Sequence, residues 1–127
     1  MLKRGVKQLV AEANAEVETL SVADALKLAG DPDTVFVDVR ESVERRQSGG
    51  IKGSVHVPRG FLEFQADPES PAHNPALSSG KKLVLYCASG GRSALAAKTL
   101  QDMGLRRVAH LAGGFSAWQQ AGGPVGS

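Results

Sequence analysis

Leu83-Val84-Leu85-Tyr86 is an unbroken apolar run that leads directly into Cys87, a Gly90-Gly91 pair and an alanine-rich stretch with helical spacing. A short run with no polar alternation reads as a strand buried on both faces. Such strands occur in parallel sheets covered by helices on either side. This single strand-turn-helix unit points to an α/β fold, and the rest of the chain repeats the alternation. Val6, Leu9, Val10 and Ala13 fall at i, i+3, i+4 and i+7, which predicts an amphipathic helix over about residues 5–15. Ser21 is placed to cap a second helix, carried by Val22, Ala25, Leu26 and Ala29 and stopped by Gly30. Thr34 to Val39 reads as a buried strand and is followed by a polar helix through Glu44. Ser54 to Val57 is a short strand stopped by Pro58. A helix from Arg92 to Met103 has Ala96, Leu100 and Met103 on one face and Gly104 as its stop. A last strand over Arg107 to His110 and a closing helix over Phe115 to Gln120 complete the pattern.

Length and charge narrow the function. The 127 residues suit one domain with one core, and there is no internal repeat. A net charge of +2 is too small to argue for nucleic acid or a membrane surface as partner. No apolar run is long enough to span a membrane, and Glu12 and Glu16 interrupt the N-terminal apolar run, which is not that of a secretory leader. One cysteine forms no intramolecular disulfide, consistent with a cytoplasmic protein. Residues 65–82 carry three of the six prolines and little periodicity, as a functional loop or an exposed insertion would. Phe61 and Phe64 lead into this segment and are candidates either to wall a pocket or to pack in the core. Trp118 is expected in the core.

The cysteine is the chemically informative residue. In open α/β sheets ligands sit beyond the carboxyl ends of the strands, where Cys87 is expected. A helix N-terminus just after it supplies unpaired N–H groups and a positive dipole end, and both favour a thiolate. Gly90 and Gly91 let the loop curl with its N–H groups inward, and Arg92 adds a positive charge with a planar fork of donors. The arrangement suits a nucleophilic thiolate handling an anionic group; the alternative is a buried, inert cysteine at a strand end. His56, His73 and His110 lack ligand spacing and there is one cysteine, so a zinc site is not expected; no cofactor is expected either.

Cys-x4-Arg at a strand-to-helix turn resembles the active-site loop of a single-domain rhodanese, a sulfurtransferase family. Three further segments resemble the same family. They are Asp38-Val39-Arg40-Glu41 (D-V-R-E), Gly49 to Pro58 (G-H-I-P-G-A-x-x-I-P) and Leu111 to Trp118 (L-x-G-G-x-x-A-W). The match covers roughly residues 18–124 and leaves residues 1–17 as an N-terminal helical extension of a domain over 18–127. The resemblance implies a five-stranded parallel sheet in the order 3-2-4-5-1 with helices on both faces. It implies that Cys87 is catalytic and carries sulfur as a persulfide. Ala88, Ser89, Gly90, Gly91 and Arg92 would bind substrate, and Asp38 and Arg40 would have a structural or pocket-tuning role. The implied partners are a small sulfur donor, thiosulfate or a persulfide, and a thiol or cyanide acceptor, with the protein a monomer or homodimer. A carrier or partner-binding module without turnover is the competing class.

The departures are specific. Gly50 and Lys52 stand where the family has histidine and proline. Ala88 stands where many thiosulfate-using members carry a basic residue, which leaves Lys52 and Arg59 as candidates for a second cation. Cysteine-dependent protein phosphatases have Cys-x5-Arg, one residue longer. The shorter cradle from Cys87 to Arg92 should fit phosphate poorly. With no resolving thiol, a persulfide on Cys87 needs an external acceptor.

Overall fold

Successive residues of a strand point to opposite faces, so an all-apolar strand needs cover on both sides. In the computed structural model, which describes residues 1–127, the central strand is β5 (Lys82–Tyr86). Leu83, Leu85 and Cys87 point to one face, where they pack with Val37, Val57, Leu62, Leu77, Ala96 and Leu100. Val84 and Tyr86 point to the other, with Phe36, Ile51, Phe115 and Trp118. The first face is covered by α4 (Leu62–Ala66) and α5 (Gly91–Asp102), the second by α2 (Val22–Leu26) and α6 (Gly114–Gln120).

The sheet combines β5 with β1 (Glu18–Leu20), β2 (Thr34–Asp38), β4 (Val55–His56) and β6 (Val108–Leu111), all parallel, in the order β1-β6-β5-β2-β4. Counted along the chain and taken from the other edge, this is the order 3-2-4-5-1 implied by the resemblance. A small antiparallel ribbon of β3 (Gly50–Ile51) and β7 (Val125–Gly126) lies apart from it. No helix is long and apolar enough to cross a membrane.

The N-terminal helix α1 (Val6–Glu16) packs along α5 and buries Ala13 completely. The Ser21 cap of α2 is present: the Asp24 N–H donates to Ser21 Oγ at 3.1 Å. The polar helix α3 (Ser42–Ser48) opens with a reciprocal capping box between Glu41 and Glu44. Two sequence expectations change. Met103 lies beyond the end of α5 and is 46% exposed, because the buried face of that helix ends at Leu100. Residues 65–82 hold the end of α4 and a 3-10 turn over Pro75–Ser78, and Leu77 anchors them in the core at 1% exposure. The segment returns the chain to the amino end of β5, the end opposite Cys87.

Candidate active site

Cys87 sits at the carboxyl end of β5 and is 1% exposed. Gly90, with φ +125°, is the N-cap of α5 and turns its N–H onto Cys87 Sγ at 3.1 Å. A side chain at that φ is strained, so glycine is what allows the loop to close on the sulfur. The thiol lies 3.6 Å from Ser93 Oγ, one turn into the helix. Burial alone would push the Cys87 thiol up. The hydrogen bonds from the Ser93 side chain and from the Ser93, Gly90 and Ser89 backbones outweigh it and leave the thiol below its ordinary range.

Loop N–H groups can face inward only if the carbonyls find partners elsewhere. The N-terminus of α6 supplies them. The Phe115 N–H donates to the Cys87 carbonyl at 2.8 Å, and the Ser116 N–H to the Ala88 carbonyl at 3.1 Å. This approach accounts for Gly113-Gly114. A Cβ on Gly114 would stand 2.5 Å from the Cys87 carbonyl oxygen, and its φ of +60° is left-handed. Ala88 is half-buried and Ser89 exposed at the mouth of the loop.

Arg92 departs from the free cation expected from sequence. Its guanidinium donates both Nη groups to Glu44 of α3, at 2.7 and 3.0 Å. The hydrogen bonds from Arg92 hold the Glu44 carboxyl down at about 2, and the partnership raises Arg92 in turn. Arg92 still acts on Cys87, but its main partner is the Glu44 carboxylate. Lys52 lies beside Ala29 and Gly30, which precede β2, at the far end of the sheet. Arg59 is held by Glu63 at 2.9 Å and Thr99 at 3.2 Å. Lys52 is thus away from the Cys87 loop, and Arg59 is already engaged. Phe61 and Phe64 are both more than half exposed and outside the core.

Asp38 and Arg40 form a separate network on the opposite face of the sheet. Asp38 is fully buried and accepts from Arg40 Nε at 2.9 Å, Arg40 Nη2 at 2.8 Å, the Arg40 N–H at 3.0 Å and Arg45 Nη1 at 3.0 Å. Burial would raise its carboxyl, and the hydrogen bonds from Arg40 bring it below the ordinary range instead. The Arg40 guanidinium lies 4.4 Å from the Phe115 ring centroid and donates to Ser48 and to the Gly49 carbonyl. The pair therefore ties the end of β2 to α3 and α6.

Sequence reasoning missed Glu44, Ser93 and His110. Ser93 Oγ lies 3.1 Å from His110 Nδ1 and 3.2 Å from the Gly90 carbonyl. His110 Nε2 lies 2.7 Å from Asn14 Oδ1 and 3.2 Å from Thr19 Oγ1. The one signal for His110 was its place two residues after Val108 in an apolar strand, which puts it on the Cys87 face.

A family model described as Rhodanese-like domain matches residues 21–121. A sulfurtransferase from Allochromatium vinosum is 30% identical over 87% of this chain and 92% of its own. A thiosulfate:glutathione sulfurtransferase from Saccharomyces cerevisiae is 33% identical over 86% of this chain and 83% of its own. A protein of unknown function from Rhodopseudomonas palustris, described as a possible tyrosine phosphatase, superposes with a TM-score of 0.95 at 52% identity, over 99% of this chain and 97% of that one. Other relatives are longer: the chain spans 58% of a Bacillus subtilis protein named as a candidate sulfur carrier, and 27% of a tRNA uridine(34) hydroxylase from Agrobacterium fabrum. With the family model covering most of the sequence and the Cys87 loop built as described, the chain belongs to the rhodanese-like family.

Proposed function

We propose that this protein is a sulfurtransferase that carries sulfane sulfur on Cys87. The observation that carries this reading is the Cys87 sulfur held at a strand end by the Gly90 N–H and Ser93, with its ionisation favoured. The Cys87 thiolate attacks the outer sulfur of a donor. With thiosulfate, the new S–S bond forms as the donor S–S bond breaks, and sulfite leaves with the electron pair. The product is a Cys87 persulfide anion, stabilised by the loop N–H groups of residues 88–92. Cyanide or a thiolate then attacks the outer sulfur, releasing thiocyanate or a new persulfide and restoring the Cys87 thiolate. No redox cofactor is needed, since each half-reaction exchanges one nucleophile for another at sulfur. The A. vinosum and S. cerevisiae relatives support the class of reaction. The B. subtilis relative favours the second reading, a carrier that is loaded and unloaded by partners without fast turnover. Turnover with a small thiol acceptor, at a rate well above that of uncatalysed exchange, separates enzyme from carrier.

Phosphatase activity should be negligible despite the description given to the R. palustris protein. The loop is one residue short for a phosphoryl dianion, and both Nη groups of Arg92 already bond the Glu44 carboxylate, which lowers the pull it exerts on a second anion. Aryl phosphate hydrolysis by the unmodified protein should stay at the level of Cys87→Ser. Robust hydrolysis that depends on Cys87 would contradict both the loop-length and the Glu44 arguments.

Thiosulfate should be a weak donor for the same electrostatic reason. The dianion meets an Arg92 that is already paired, and Ala88 offers no second cation. A charge-assisted hydrogen bond in a shielded site contributes roughly 1.5–3 kcal/mol. Ala88→Lys or Ala88→Arg should therefore lower the thiosulfate KM about tenfold. The kcat should stay nearly constant if ground state and transition state gain alike. Steady-state kinetics with thiosulfate and cyanide test this. An unimproved kcat/KM in the folded variants would mean that charge at position 88 does not limit donor use.

A further inference from the structure

Behind Cys87 a line of hydrogen-bonding groups crosses the molecule to its surface. Cys87, Ser93 and His110 are 1%, 0% and 3% exposed, while Asn14 and Thr19 at the far end are exposed. Asn14 Oδ1 can only accept, so its 2.7 Å contact places a proton on His110 Nε2. His110 Nδ1 is then the acceptor for the Ser93 hydroxyl at 3.1 Å, and Ser93 Oγ faces the Cys87 thiol at 3.6 Å. A cleft of about 420 Å³ lies over the outer end, lined by Val10, Asn14, Thr19 and His110 and reaching Gly90 and Gly91 of the loop. Asn14 and Thr19 lie outside the span of the family match, residues 21–121.

We infer that His110 is a positioning residue that takes the Cys87 proton through Ser93, and that Asn14 of the N-terminal helix sets its tautomer. The inference rests on Cys87 being the reacting sulfur. In the activating step the S–H proton passes to Ser93 Oγ as the Ser93 O–H proton passes to His110 Nδ1. The products are a thiolate and an imidazolium, with charge and protons conserved. The imidazolium Nδ1–H donates to Ser93, whose hydroxyl now donates to the thiolate, while Nε2–H remains on Asn14. When the acceptor removes the outer sulfur the Cys87 thiolate is restored, and the same line then returns the proton to it to regenerate the resting thiol. Burial keeps the resting imidazole neutral, as a proton acceptor must be.

The groups that face His110 are uncharged: Ser93 from α5, Asn14 from α1 and Thr19 from β1. Of the charged residues on these elements, Glu16 pairs with Lys98, Glu18 with Lys82 and Glu12 with Arg4, and Lys7 lies two turns before Asn14 on α1. Arg92, which also acts on Cys87, is paired with Glu44. His110 is therefore the titrating group coupled to Cys87 along this line.

The test is the pH dependence of Cys87 alkylation by iodoacetamide, which reads the thiolate directly. It is independent of sulfur transfer, so it separates failure of this inference from failure of the sulfurtransferase reading. His110→Gln, checked for folding by circular dichroism, should move the alkylation profile up by about one pH unit and slow the reaction at pH 7 about tenfold. Asn14→Asp, at an exposed position that leaves folding secure, places a carboxylate on Nε2–H. It stabilises the imidazolium and should extend rapid alkylation to lower pH. A purely structural histidine would leave both profiles on the wild-type curve. Superimposed profiles for wild type and folded His110→Gln would overturn the inference. Should His110→Gln fail to fold, an unchanged or upward-shifted profile in Asn14→Asp would overturn it by itself.

Discussion

Cys87→Ser should keep the fold and lose sulfur transfer down to the uncatalysed background. The replacement fits the site: a serine oxygen can accept the Gly90 N–H that now reaches Cys87 Sγ at 3.1 Å, and Ser93 remains beside it. Stability should change by about 1 kcal/mol or less, since one hydrogen bond is exchanged for another in a site of nearly the same size. The chemistry does not survive. An alcohol stays protonated at neutral pH and forms no bond equivalent to a persulfide, and the chain has no second thiol to substitute. Thiocyanate production from thiosulfate and cyanide, compared between the two forms at matched thermal stability, checks this. Undiminished activity in folded Cys87→Ser would remove the mechanism.

The second large effect is expected at a residue with no chemistry. Gly114→Ala should destabilise the protein by about 2–5 kcal/mol, combining the strain of a left-handed non-glycine residue with overpacking. Its new Cβ would stand 2.5 Å from the Cys87 carbonyl oxygen and 2.6 Å from the Ala88 carbonyl. Both contacts are backbone and cannot rotate away. To relieve them, α6 must retreat from the loop and give up the Phe115 and Ser116 N–H bonds that keep the loop carbonyls turned outward. Against a domain stability of about 5–15 kcal/mol, this is a large fraction. Gly91→Ala is the control, because a Cβ there meets nothing within 4 Å and the backbone is not left-handed. Urea unfolding midpoints should separate the two variants widely. A Gly114→Ala protein as stable as wild type would mean that the close approach of α6 to the loop is not what the glycine is for.

The contrast between these two glycines bears on what a sequence can disclose. The central strand, the turn after it and the helix that follows were legible because parity and helical spacing act over a few residues. Cys87 could be placed at the carboxyl end of a buried strand from Leu83 to Tyr86 alone. Strand β1 was not legible: it has three residues with mostly exposed side chains, and its ladder partner β6 is distant in sequence. The Arg92–Glu44 pair joins residues 48 apart in sequence, and no spacing rule links the first turn of α5 to α3. The line from Ser93 through His110 to Asn14 spans three elements, the last 96 residues from its partner. Such pairings follow from strand order, since β6 lies between β5 and β1 and so brings His110 between α5 and the N-terminal segment. Gly114 was legible as part of a motif, but its reason, the Cys87 carbonyl 2.5 Å from where a Cβ would be, is a tertiary fact.

The central claim is that Cys87 holds transferable sulfur, and intact-mass spectrometry tests it most directly. The protein would be incubated with thiosulfate or with polysulfide, desalted and weighed before and after cyanide, with Cys87→Ala treated in parallel. The account predicts a gain of one sulfur atom on the wild-type chain, complete reversal by cyanide with thiocyanate released in equal amount, and no gain on Cys87→Ala. A wild-type chain that gains no sulfur from either donor, or a Cys87→Ala chain that gains it equally, would contradict the account.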